Sequence, residues 1–172
     1  MWLETKRLVL REFQQEDLPW LASILADPQV MKFSPTGVAS SRQAQEKIES
    51  FITSYRAYGF GKWAVLLEDR QELIGYCGIA VEQIDDRYEK ELGYRLDSRC
   101  WGQGFATEAA IAAIQYGLES LKLPYILGVV ERENIASVRV LEKIGMRFER
   151  TTTFHELEMD VYRVDATNFL LN

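Results

Sequence analysis

The stretch from Tyr88 to Val130 constrains the fold more than any other. It opens with a β-patterned run, YEKELGYRL, passes through a turn, DSRCWGQG, enters an alanine-rich segment and leaves through PYILGVV, which is nearly all apolar. Alternation suits a strand with one covered face, and a continuous apolar run suits a strand covered on both. Between them, Ala106 to Leu121 places Ala110, Ile114, Leu118 and Leu121 on one helical face, whose small residues let a helix lie close on a sheet. Strand, helix and strand joined in this way predict a right-handed crossover, so the two strands should run parallel in one sheet.

The flanking segments add further elements. Alternation from Leu8 to Arg11 marks a first strand, and Asp17 with Pro19 in DLPWLASIL suits a helix start. SSRQAQEKIESFITSYRAY carries Ala44, Ile48, Phe51, Ile52 and Tyr55 as a helical stripe. KWAVLLE, LIGYCGIAV and YEKELGYRL read as antiparallel strands, with DRQE and EQIDDR as the hairpin turns. After PYILGVV, ASVRVLEKIG predicts a helix stopped by Gly145, and MRFERTTTFHE and EMDVYRVDATNF predict two closing strands.

Composition narrows the function classes. A chain of 172 residues is the size of one domain with one core. No apolar run approaches the ~18 residues of a membrane helix, and the opening MWLETKRLVLREF lacks the apolar core of a signal peptide, so a cytoplasmic protein without membrane association is expected. Cys77 and Cys100 lack a CxxC spacing and read as free thiols, and with a single histidine no metal set or Ser-His-Asp triad can be assembled. His155 sits in the alternating FHELEMDVY and is expected to decorate a strand. A net charge of -6 argues against broad nucleic-acid binding, while a cationic amine would not be repelled.

Residues 99 to 104 read Arg-Cys-Trp-Gly-Gln-Gly, between the YEKELGYRL strand and the alanine-rich helix. Gly102 and Gly104 allow a turn with unshielded N–H groups, and the helix start adds unpaired N–H groups and a positive dipole end. Such a turn can cradle an anion, although glycine spacing alone equally describes a plain turn before a helix. A P-loop would require G-x-x-x-x-G-K-[ST], which is absent. A dinucleotide fingerprint would require a small third residue where Thr107 stands and glycines directly at the strand end, whereas Asp97 to Trp101 intervene.

RCWGQGFATEA resembles the R/Q-x-x-G-x-G/A motif by which GNAT enzymes hold the pyrophosphate of acetyl-CoA. Downstream, NIASVRVLEKIGM resembles the N-x-x-S-x-x-x-x-x-K-x-G-F segment of the RimJ/RimL-type branch, with Met146 where Phe is usual, and LETKRLVLRE resembles that branch's opening strand. The likeness runs over roughly residues 3 to 165. It implies an α/β fold over a single domain, residues 1 to 172. Its mixed, mainly antiparallel sheet would have about seven strands, with about four helices and a V-shaped opening where two parallel strands diverge. Acetyl-CoA would lie there, held by Gly93, Tyr94, Arg99, Trp101, Gly102, Gln103, Gly104, Phe105, Ala106, Thr107, Asn134 and Ser137, with no metal.

One departure bears on chemistry. Many GNAT enzymes place a tyrosine seven positions after this Asn to protonate the leaving thiolate, and here Leu141 stands there. In the RimJ/RimL-type branch a serine three positions after the Asn contacts the thiol, which points to Ser137. By spacing alone Asn134 and Ser137 are equally a helix cap and a first-turn serine. Glu91, two residues before Gly93, is the candidate base, its alternative being a solvent-facing strand carboxylate. The resemblance implies direct acetyl transfer to a primary amine, a protein N-terminus or a small molecule, by a monomer or homodimer. A non-catalytic acyl-CoA-binding module is the alternative.

Overall fold

The computed structural model describes residues 2–169. One mixed sheet of eight strands runs in the order β1-β2-β3-β4-β5-β6-β8-β7. The strands are β1 (Trp2–Glu4), β2 (Leu8–Arg11), β3 (Lys62–Leu67), β4 (Leu73–Ile84), β5 (Arg87–Leu96), β6 (Tyr125–Val130), β7 (Arg147–Phe154) and β8 (Leu157–Asp165). All neighbours pair antiparallel except β5 and β6, which flank helix α3 (Phe105–Gln115) as the crossover reading requires. Helices α1 (Leu18–Leu25) and α2 (Ser41–Tyr58) precede β3, α4 (Ile135–Lys143) follows β6, and a short helical turn, α5 (Ala166–Phe169), follows β8.

Strand β3 explains the layering. Its residues alternate between Trp63 and Val65, which join Cys77, Ile79, Leu92 and the alanines of α3, and Ala64 and Leu66, which join Tyr76, Ile48 and Phe51 under α1 and α2. A strand covered on both faces gains by being apolar throughout, so KWAVLL shows no polar alternation after its first residue. Apolar burial is worth about 25 cal/mol per Å², and the two clusters hold the sheet between its helix layers.

The expected α/β class with a mainly antiparallel sheet is observed, with eight strands rather than seven. Strand β1 is only three residues and draws its partners from β2, Trp2 opposite Arg11, which no periodicity in so short a segment could announce. EQIDDR is strand rather than turn at its ends: β4 runs to Ile84 and β5 starts at Arg87, leaving a two-residue turn with Asp85 and Asp86 at φ 50 and 61. Asp residues tolerate that left-handed pair, which matches strand twist. Asp85 also accepts from Arg150 Nε at 2.8 Å and from the Thr152 hydroxyl, fastening the hairpin tip to β7. His155 likewise is not a strand residue: with Glu156 it forms a second two-residue turn at φ 48 and 65. The closing strand ends at Asp165, because Ala166 turns back to bond the Pro124 carbonyl and starts α5. The alanine-rich helix is α-helical only to Gln115 and finishes in a π-helical turn, Tyr116–Ser120.

Candidate active site

Strands β5 and β6 pair only at Glu91 with Leu127 and Leu92 with Gly128, and then part. Beyond that point one edge of β5 from Gly93 to Leu96 has no strand partner, while its other edge stays paired with β4. The gap opens into a cleft of about 1210 Å³ that reaches from the 29–36 segment and α2, across the β4–β5 face, to the α3 turn, α4 and the β7–β8 hairpin. This is the expected V-shaped opening. Unpaired main-chain groups along its wall can receive an amide-bearing chain as an added strand would be received.

The glycine turn stands at one end. Gly102 and Gly104 adopt φ 73 and 81, a left-handed backbone that residues with a Cβ enter only under strain. Helices α2 and α4 are capped by the side chains of Ser40 and Asn134, but α3 has no side-chain cap. Its first-turn N–H groups thus face the cleft with the positive end of the helix dipole, as an anion requires. Arg7, just before β2, braces the turn: its Nη1 donates to the Gln103 carbonyl at 2.9 Å and its guanidinium lies 4.4 Å from the Phe105 ring centroid. Glu108, in the first turn of α3, accepts from the Thr5 hydroxyl at 2.6 Å and from Arg7 Nε at 2.7 Å. Burial alone would raise the Glu108 carboxyl, but those hydrogen bonds outweigh it and hold it below the ordinary range.

Of the residues singled out in sequence, Glu91, Gly93, Tyr94, Trp101, Gly102, Gly104, Phe105, Ala106, Thr107, Asn134 and Ser137 all line the cleft. Arg99 and Gln103 do not. The Arg99 guanidinium turns outward to Asp97 at 2.6 Å and Glu72 at 3.7 Å, and Gln103 Nε2 donates to the Arg99 carbonyl.

Helix α4 forms the opposite wall. Asn134 Oδ1 accepts the Ser137 N–H at 3.3 Å, so Asn134 caps the helix and sets its first turn. Leu141 is buried, packed toward Gly128 and Met146, in the α3–α4 core. A second hydroxyl stands nearby: Tyr94 donates from Oη to the Ser137 carbonyl at 3.1 Å, and burial raises its phenol. The sequence drew attention to Tyr94 only for its backbone.

The floor holds a buried ion pair that strand pattern alone did not reveal. Glu91 Oε2 accepts from Lys62 Nζ at 2.6 Å, both side chains nearly excluded from water. Lys62, Gly78 and Gly93 stand opposite one another on β3, β4 and β5, so the lysine reaches across the middle strand where no side chain blocks it. A Cβ at Gly93 would come within 2.0 Å of Lys62 Nζ, so a side chain here would push the lysine off its place beside Glu91. Burial pushes the Glu91 carboxyl up, opposed by Lys62 and by the Val129 N–H. Neither cysteine is an activated nucleophile: burial pushes the Cys77 thiol up to about 12 and raises that of Cys100 as well. Among the described residues no cluster of metal-ligating side chains forms, and no helix is long and apolar enough to cross a membrane.

A sheet that splits at its parallel pair, with an uncapped helix start at one end of the split, defines the acyl-CoA N-acyltransferase class. A family model described as "Acetyltransferase (GNAT) domain" matches residues 7–147. The chain belongs to the GNAT family and is an acetyltransferase; the family uses acetyl-CoA. It is 33% identical to the uncharacterized protein YkkB of Bacillus subtilis, over 96% of each chain. It is 34% identical to YnaD of the same organism, named an uncharacterized N-acetyltransferase, over 87% of this chain and 84% of that one. The solved acetyltransferase (GNAT family) from Bacillus anthracis superposes with a TM-score of 0.83 at 25% identity, covering 97% of this chain and 99% of that one.

Proposed function

We propose that this chain, as a single domain of the RimJ/RimL-type branch acting in the cytoplasm, transfers the acetyl group of acetyl-CoA directly to a primary amine. The observation that carries the reading is the cleft where β5 leaves β6, closed at one end by the uncapped α3. Bound acetyl-CoA would supply the thioester. The turn from Gly102 to Thr107 holds its pyrophosphate through backbone N–H groups, and the free edge of β5 aligns its amide arm. N–H groups near Gly93 and Tyr94 stabilise the oxyanion. Glu91 accepts the amine proton, directly or through a water, with Lys62 fixing its position. Ser137 assists departure of the thiolate. Raised cysteine thiols support direct transfer rather than a covalent enzyme intermediate.

Calorimetry tests the binding half. Acetyl-CoA should bind the parent and fail to bind a folded Gly104→Val variant, since valine holds φ 81 only under strain and its Cβ would stand 3.5 Å from Arg7 Nη2, the side chain that braces the turn. Equal affinity in the two proteins would overturn the assignment of the turn. Release of free CoA over protein N-termini, amino acids, polyamines and aminoglycosides tests transfer; binding without release would leave an acyl-CoA-binding module.

A further inference from the structure

We propose that the acceptor is a zwitterion, an amine that carries a free carboxylate within about 7 Å, and that Arg95 and Lys47 hold the carboxylate. The proposal rests on the acetyl-transfer reading and names the substrate class of the same site. Glu91, Gly93 and Arg95 alternate along β5 and share the face that floors the cleft, in steps of about 7 Å at the usual rise of ~3.3 Å per residue. Around Glu91 lie its own carboxylate, the Lys62 ammonium paired with it, and the carboxylate of Glu82, whose charge also acts on it. Four residues further along β5 only cations stand: Arg95 lies opposite Tyr76 on β4, and Lys47 from α2 puts its ammonium 5.9 Å from the Tyr76 ring and 5.7 Å from that of Phe51.

Among the described residues neither cation has a carboxylate partner. Among the described residues Arg95 meets no carboxylate; its Nη1 rests on the Met31 sulfur at 3.1 Å, and a thioether is a weak acceptor for a group with five donors. Elsewhere the protein pairs its partly buried arginines: Arg11 with Asp17 at 2.8 Å, Arg163 with Asp165 at 2.6 Å. In a chain with 26 acidic residues against 20 basic ones, carboxylates are in surplus, yet among the described residues none pairs with Arg95 or Lys47. Lys62 is taken by Glu91. An amine that reaches the Gly93–Tyr94 N–H groups thus has the Lys62–Glu91 pair on one side and, on the other, two cations that no carboxylate of the described residues matches. An amino acid satisfies both ends, whereas a polyamine would bring a second ammonium against Arg95 and Lys47.

The test compares acceptors differing only in charge: the L-α-amino acids, glycine, β-alanine and 4-aminobutyrate, each against its carboxamide, with aminoalkylphosphonates and spermidine alongside. CoA release gives kcat/KM, and calorimetry on the CoA-loaded protein gives acceptor affinity without turnover. The best carboxylate should exceed its carboxamide at least tenfold in kcat/KM. That ratio should fall toward one in Arg95→Gln and Lys47→Gln and recover in part in Arg95→Lys, with acetyl-CoA affinity retained as the sign of an intact fold. Amides or spermidine serving as well as carboxylates would overturn the proposal, as would phosphonates outrunning them or a ratio unchanged in Arg95→Gln. Silence of every amine would refute acetyl transfer instead, and calorimetry then decides the zwitterion site: carboxylates must bind at least tenfold more tightly than their amides, or it fails.

Discussion

Removing either member of the Lys62–Glu91 pair should cost more than removing both. The side chains are 9% and 12% exposed and lie 2.6 Å apart, so a single Lys62→Met or Glu91→Gln leaves the other charge facing low dielectric with its counter-ion gone. Stranding one partner of a buried pair costs about 3–5 kcal/mol, and the position at a cleft wall favours the lower figure. At roughly 2–4 °C per kcal/mol for a chain of this size, each single variant should melt about 6–12 °C below the parent. The double variant carries no buried charge and should lie within about 1 kcal/mol of the parent, which makes the coupling several kcal/mol and opposite in sign to the sum. Urea unfolding of the four proteins measures it. Single variants within about 0.5 kcal/mol of the parent, with additive effects, would refute the pair. The same set tests chemistry. Glu91 must be ionised to act as a base, and Lys62 opposes the burial that raises it, so Lys62→Met should move the acid limb of kcat/KM to higher pH. Glu91→Gln should abolish that limb, and its loss of kcat is to be read only from protein shown to be folded.

Ser137→Ala should lower kcat by about 10²-fold, the low end for general acid catalysis, while Tyr94→Phe changes it by less than about threefold; the reverse order would move the acid to the phenol that bonds the Ser137 carbonyl. Leu141→Ala should destabilise by about 2–5 kcal/mol in a denaturation series, since Leu141 is only 2% exposed and its neighbours Gly128 and Met146 cannot fill the space. Glu108 is held below the ordinary carboxylate range, so its contribution is present above its unfolded value of about 4.3 and lost as pH falls through the lowered folded value. Glu108→Gln should therefore melt below the parent at pH 7 and converge with it in acid; parallel curves throughout would exclude the linkage.

What the sequence determined by itself was local or periodic. The glycine turn, the alanine face of α3, the unalternating β3 and the capped start of α4 each depend on neighbours within a few residues, and the parallel pair follows from chain connectivity alone. Short-range signals also failed where a partner decided the outcome: β1 exists because β2 offers an edge, and the two tight hairpins close at Asp85–Asp86 and His155–Glu156 because strand register places them there. The chemistry of the floor belongs wholly to the tertiary structure. Lys62 and Glu91 are 29 residues apart and meet because Gly78 leaves the strand between them bare, and Arg7 meets Glu108 across 101 residues. Arg95 and Glu91 look alike in sequence as alternating charges on one strand. Only folding brings Lys62 to one of them and a sulfur to the other, because β3 supplies a cation beside Glu91 and, among the described residues, no packed element supplies a carboxylate beside Arg95.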